Sequence, residues 1–421
     1  MANTLKKTTA PLLAAAALAV TPMAQAKEGH EQEKEGIKIE QVDKTSLEKG
    51  AFEASSGFRR FMSGVTSSIL WLPRKTVDMV GGLFHSAGDG VSEVSNALGD
   101  EYVGPTAAGA VHNTVDITQE TLNAGLNIAE DAADAVVDLT ARATIEAPAQ
   151  VVSGKPLDAA RNLGGAGVKT LSTITGSTVE NSSRIIASAT KGVSNTTADA
   201  TTNLVERPAV NGVTGATETI VEGTKKLAKV VTGEDIGKLP ETKFVSSLSA
   251  TTRQLPDITD GIKHTAHELG SGLIESTGSV GGNAIKIAGQ IGDAAIRGEA
   301  EKMARNLLPM MKSGTEILKN DITEAVRGAE STIEEANKLL KGTQQLEELP
   351  QKTTDTLELL QQARVAISEH TLKATLRANQ ISTVVDVAND ATRADKNLKK
   401  EGFELQEDGY LVKAVKGKRS R

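Results

Sequence analysis

Across 421 residues the chain carries a formal net charge of −7, 2% aromatic residues and no cysteine. These values exclude disulfides, thiolate chemistry and cysteine-ligated metals, and they leave no global basic footprint of the kind nucleic acid requires. With few large rings and 39 glycines the chain has little from which to build a thick, rigid core. Thinly packed helices, or helices spread on a surface, are the expected outcome.

Residues 1–26 read as a cleaved Sec-type signal peptide. Lys6 and Lys7 give a positive start, "PLLAAAALAV" (11–20) a short apolar run, and Ala24-Gln25-Ala26 a small-residue cleavage site. That run is well short of the roughly 20 residues that span a bilayer. The expectation is export, to a bacterial periplasm or beyond the cell. Residues 27–56 form a charged leader, expected to be disordered.

"GFRRFMSGVTSSILWLPRK" (57–75) gathers much of the aromatic content, with Phe52 and Phe84 close on either side. At about 100° per residue Phe58, Phe61, Met62, Val65, Ile69 and Leu72 share one face of a helix. Arg59 and Arg60 flank that face and Trp71 sits at its edge. A large apolar face bordered by cations and a tryptophan suits a helix lying in a membrane interface. The same residues also fit an aromatic core for the rest of the chain, or an anchor in a partner's groove.

Over residues 76–308 prolines cut the chain into segments, and Pro73, Pro105, Pro148, Pro156, Pro208, Pro240, Pro256, Pro309 and Pro350 are natural helix boundaries. Within segments the apolar residues return every eleventh position: Val111, Leu122 and Ala133 form one row, Val115, Leu126 and Val137 another. Similar stripes run from Val80 to Tyr102, from Val168 to Thr197 and from Val210 to Val231. Eleven residues over three turns is about 3.67 per turn, the period of a nearly straight helix. Thr, Ser and Ala fill about every second position, so each turn buries little area at about 25 cal/mol per Å². Such stripes suit a reversible surface-lying helix; the alternative is a long bundle in which small residues let backbones approach.

The stretch "VNGVTGATETIVEGTKKLAKVVTG" (210–233) resembles the 11-residue amphipathic repeats of perilipins and synucleins. The proline-punctuated layout of residues 74–308 is similar to exchangeable apolipoproteins and to some late-embryogenesis-abundant proteins. The resemblance implies amphipathic helices on lipid surfaces in the first cases and protection of dried membranes and proteins in the last. The heavier glycine content and the export signal depart from these families.

From residue 309 to 398 the period shortens. Leu318, Ala325, Leu339 and Leu346 share one heptad row and Ile322, Ala329 and Ala336 another. Leu360, Ile367, Ala374, Ile381 and Ala388 follow the "LPQK" turn, with Ala363, Ala378 and Val385 beside them. Two such helices predict an antiparallel helical hairpin, and residues 314–396 could serve a partner coiled coil. Residues 399–421 switch to period two around Asp408-Gly409, a small β-hairpin signal, before a basic tail.

Chemistry is sparse. Asp257, Asp260, His264 and His267 share one helical face and include the donor types of a divalent-metal site; the plainer reading is acids favouring a helix start after Pro256. "GSGLIESTGSVGGN" (270–283) lacks both the lysine spacing and the preceding strand of a phosphate loop, which leaves a kinked or flexible helix joint. The sequence therefore predicts an elongated all-α exported protein, neither an enzyme nor a cofactor carrier, that covers a lipid or membrane surface. A helical scaffold or stress-protective chain that binds no lipid is the alternative.

Overall fold

A computed structural model describes residues 44–97, 102–232, 240–341, 349–401, 403–405 and 411–413; from residue 45 onward they belong to one compact unit. The expected signal peptide, the expected leader up to residue 43, the Asp408-Gly409 turn and the basic tail lie outside the described residues.

The protein is all-α in its long elements. They are α1 (Lys44–Ala97), α2 (Val103–Ala141), the short α3 (Ala147–Val152), α4 (Pro156–Thr201), α5 (Arg207–Thr232), α6 (Pro240–Ile296), α7 (Ala300–Lys341) and α8 (Leu349–Glu401). Two three-residue strands, β1 (Phe403–Leu405) and β2 (Leu411–Lys413), pair antiparallel with Glu404 opposite Val412. Among the described residues no helix is long and apolar enough to cross a membrane.

Helix boundaries follow proline less strictly than the sequence suggests. Pro156 and Pro240 open α4 and α6, where the missing N–H costs nothing. Pro73 and Pro256, by contrast, lie inside α1 and α6. Pro73 is exposed, so water can reach the carbonyl that its ring leaves without an N–H partner. The helix therefore does not begin at Gly57 or end at Pro73 but runs unbroken from Lys44, inside the expected leader, to Ala97. Pro148 and Pro208 use a third solution. Each follows a five-residue π-helical turn, Arg142–Glu146 and Thr202–Glu206, whose wider bonding gives the proline ring room. Left-handed glycines, Gly154 (φ 82°) and Gly298 (φ 78°), end α3 and α6.

The eleven-residue period is present, but the rows that face inward are not the apolar ones. On α4 the buried rows are Ala159, Thr170, Asn181, Gly192 and Gly165, Gly176, Ala187, Ala198. On α6 they are Ser271, Gly282, Asp293 and Gly272, Asn283, Ala294. These small residues let α4 and α6 run antiparallel with their backbones in contact: a Cβ added at Gly282 would stand 2.5 Å from the Gly176 carbonyl oxygen. The apolar stripe points the other way, with Leu171, Ile186 and Val193 exposed. The small rows win because a straight helix at this period keeps Gly and Ala in line for many turns, and continuous backbone approach outweighs scattered aliphatic contacts.

Among the described residues, the clusters of larger apolar side chains lie among α6, α7 and α8. Met303 and Leu307 meet Val385 and Ala388, Leu318 meets Ala374 and Ala378, and Ala336 meets Leu360 beside Ile258. That pairing makes α7 and α8 antiparallel, while α8 runs parallel to α6. Many threonine hydroxyls, in α2 and elsewhere, donate to the carbonyl one turn back, as from Thr114 to Ala110 (2.7 Å) and from Thr118 to Thr114 (2.8 Å).

Candidate functional site

Helix α1 is mounted differently from the others. Its backbone stays apart from α2 along almost all its length, and polar side chains bridge the gap. Ser63, Arg74 and His85, spaced by elevens, face α2. Ser63 donates to Asp134 (3.4 Å), Arg74 to Asn127 (2.7 Å) and Glu130 (2.6 Å), and His85 Nε2 lies 3.0 Å from Asp116. Near its start the buried Ser55 donates to Glu146 (2.6 Å), and Arg59 pairs with Asp138 and Glu146 (both 2.7 Å).

The opposite face of α1 carries the large apolar residues. Phe61, Leu72, Leu83 and Val94 form one eleven-residue row and are 66%, 64%, 67% and 62% exposed. Ile69, Trp71 and Met79 are exposed beside them, and Arg60 and Lys75 are exposed along the edge. Of the sequence-predicted anchor residues, Met62 is buried, Phe58 and Val65 are partly covered, and Arg59 turns inward. The helix is thus amphipathic with its apolar side out, an arrangement that monomeric soluble proteins seldom expose without use.

Beneath the start of α1 lies a charge cluster that sequence reasoning missed. Arg142, fully buried in the first π-turn, makes a bidentate pair with the equally buried Asp293 of α6 (2.8 Å on each oxygen). Asn389 of α8 donates to the same carboxylate (3.1 Å), and Arg297 reaches it at 3.1 Å. Lys169 of α4 joins Asp386 (2.6 Å) and Asp138 (3.6 Å). Arg393 of α8 lies 3.3 Å from Glu146 and stacks over the Phe52 ring of α1 at 5.4 Å. Burial pushes the Asp138 carboxyl up, but the charges of Lys169, Arg142, Arg59 and Arg393 together hold it well below the carboxylate range. Glu146 is likewise lowered, against its burial, by Arg393 and Arg59, and Asp293 by Arg142 and Arg297. Burial in turn raises Asp386, which has Asp390 for a neighbour. A polar cleft of about 830 Å³ opens beside the cluster, between α1 and the helices beneath it.

The four metal candidates separate. Asp257 pairs with Arg207 (2.5 Å), and His267 Nδ1 meets Asn195 (3.3 Å). Asp260 and His264 instead meet Asp199 of α4, with ligand atoms within 4.8 Å of one another. They already pair among themselves: His264 Nε2 lies 2.9 Å from Asp199 and 3.5 Å from Asp260, and Thr202 donates to Asp260 (2.9 Å), while the buried His264 Nδ1 has no hydrogen-bond partner. Lys263 Nζ, 2.7 Å from Glu206 and 3.4 Å from Thr202, already brings a positive charge to this corner.

Two signals in the sequence mark these places. Glu-x-Pro-Ala occurs at 146–149 and again at 206–209, its Glu closing each π-turn. Single charges also stand in rows of small residues, as Glu146 after Ala124 and Ala135, or Asp293 after Ser271 and Gly282. Compared with protein families, curated proteins and solved structures, the chain matches none.

Proposed function

We propose that this protein is an exported, non-catalytic chain that associates with a lipid or membrane surface through the outer face of α1. The observation that carries the reading is the row Phe61, Leu72, Leu83 and Val94, exposed over more than thirty residues of one helix. Arg60 and Lys75 along its edge suit anionic headgroups, and Trp71 suits the depth at which a lipid interface begins. Exposed Leu171, Ile186 and Val193 on α4 and Val213 and Ile220 on α5 add weaker apolar ground. Export rests on residues 1–26.

A second reading, a rigid scaffold whose outer face meets another protein, is favoured by the close α4–α6 packing, which holds without any lipid. Co-flotation separates the two. The mature chain is expected to rise with phosphatidylglycerol vesicles, and Leu72→Ser/Leu83→Ser to stay at the bottom of the gradient with unchanged far-ultraviolet circular dichroism. A wild-type chain that ignores such vesicles overturns the lipid reading.

A further inference from the structure

The gap between α1 and α2 is itself a chamber. Two side chains of α2 prop the helices apart: Gln119 lies against the backbone at Gly81 and His112 against that at Gly88, both too close to admit a Cβ there. Beside these props runs a slot of about 550 Å³, walled by Val77, Val80 and Phe84 of α1 and by Val111, Val115 and Leu122 of α2. Its size falls within the range of small-molecule sites, about 300–1,000 Å³. Between the limits of its α2 wall, Ala110 and Leu122, the slot extends for about 18 Å at 1.5 Å per residue.

We propose that this slot takes up one acyl chain of a membrane lipid. The remaining wall residues include Thr76, Thr114 and Thr118, yet each hydroxyl donates to its own helix, to Leu72 (2.9 Å), Ala110 (2.7 Å) and Thr114 (2.8 Å). They therefore turn methyl groups to the slot. Gln119 Nε2 donates to the Val77 carbonyl (3.4 Å). A wall whose polar groups are bonded elsewhere offers little to orient a polar ligand, and a long, narrow apolar space suits an unbranched hydrocarbon chain. The slot also opens onto the outer face of α1. Val80 and Phe84, wall residues half exposed at its mouth, stand on the helix between Leu83 and Val77, so apolar surface continues from the outer face into the slot. The identity of the chain as membrane lipid rests on the surface association proposed above; the slot does not.

The experiment has two arms on the mature full-length chain. In vesicle-free buffer, cis-parinaric acid is titrated into the protein and its fluorescence followed. The expected result is saturable uptake of one molecule per chain, weakened tenfold or more by Leu122→Glu at the slot mouth and by Val115→Trp, which fills the slot. If either variant fails to fold, judged by circular dichroism, the other decides. Absence of uptake by the wild-type protein, or uptake unchanged in a folded slot variant, overturns the slot. In the second arm the wild-type chain is floated with phosphatidylglycerol vesicles carrying a photoactivatable acyl chain, and the labelled residues are mapped. Label on Val77, Val111 or Val115 supports lipid as the source. Uptake of cis-parinaric acid without flotation would sink the membrane reading and the lipid source while leaving the slot standing. Label confined to Phe61, Leu72 and Leu83 would leave the membrane reading standing and overturn lipid uptake.

Discussion

On α4, Gly165 lies directly against Asp293 of α6 and Gly176 against the Gly282 carbonyl, with no room for a Cβ at either. On α1, Ser63, Arg74 and His85 reach α2 only at the ends of side chains. Both interfaces are antiparallel and both repeat every eleven residues. The period therefore decides that a helix is straight and that a row continues, but not which row is buried. Residue size settles that: where the row is Gly and Ala the backbones close up and the apolar stripe turns outward. Where one face is ionic and the other aromatic, the ionic face goes in because α2 offers Glu130, Asp134 and Asp138 to pair with it.

The sharpest break comes from Asp293→Ala, which leaves the fully buried Arg142 only its pairing with Asp138 (3.1 Å). Loss of one partner of a buried pair costs about 3–5 kcal/mol, and urea unfolding should show a loss of that order. Gly282→Val attacks the same interface sterically. Overpacking costs about 1–3 kcal/mol, and the Gly176 carbonyl is backbone that cannot rotate away. Gly125 on α2 has open space around it, so Gly125→Ala should instead stabilise by about 0.5–1 kcal/mol through helix propensity. If both glycine substitutions gave the same sign, close backbone approach would not be what holds α4 to α6.

Acid should loosen the cluster. Asp138, Glu146 and Asp293 have lowered folded pKa values, so their stabilisation is complete above the unfolded carboxylate range of about 4 and is lost as pH falls through it and below. Asp386, raised by burial, works in the opposite direction and recovers part of the loss. The urea midpoint is expected to hold between pH 7 and about pH 5 and to fall as pH drops further towards about 2. The fall should be shallower in Glu146→Gln, which lacks one of the depressed carboxyls. The smallest effect belongs to Leu72→Ser/Leu83→Ser. Both side chains already face water, so unfolding should shift by no more than about 0.5 kcal/mol. A loss of several kcal/mol would place that row in the protein's own core.

Much of this was legible beforehand. The straight period, the helical character of residues 57–75 and the Leu318–Ala374 and Leu360–Ala336 contacts follow from apolar spacing, because in α7 and α8 large aliphatic residues do the burying. What could not be read was orientation in α2 and α4, where spacing left open whether a stripe such as Leu171, Ile186 and Val193 faces a neighbouring helix or the surface; it faces the surface. Hydropathy ranks those residues above Gly176 and Asn181, while packing between two long straight helices ranks them below. The charge cluster was hidden for a related reason. Arg142, Lys169 and Asp293 look like solvated charges one by one, and only the joining of α2, α4, α6 and α8 brings them together. Nor did Asp260 and His264 disclose Asp199, more than sixty residues away in sequence and 2.9 Å away in space.

The threonines bear on how such a surface changes its surroundings. A hydroxyl that must give up water on entering hydrocarbon costs about 1–3 kcal/mol when it finds no partner there. Thr114, Thr118, Thr197 and Thr217 already bond to their own helices, so their tally of hydrogen bonds need not change when the solvent does. On the surface association proposed above, such a face would pass from water to lipid with no change in these hydrogen bonds and no refolding of its backbone.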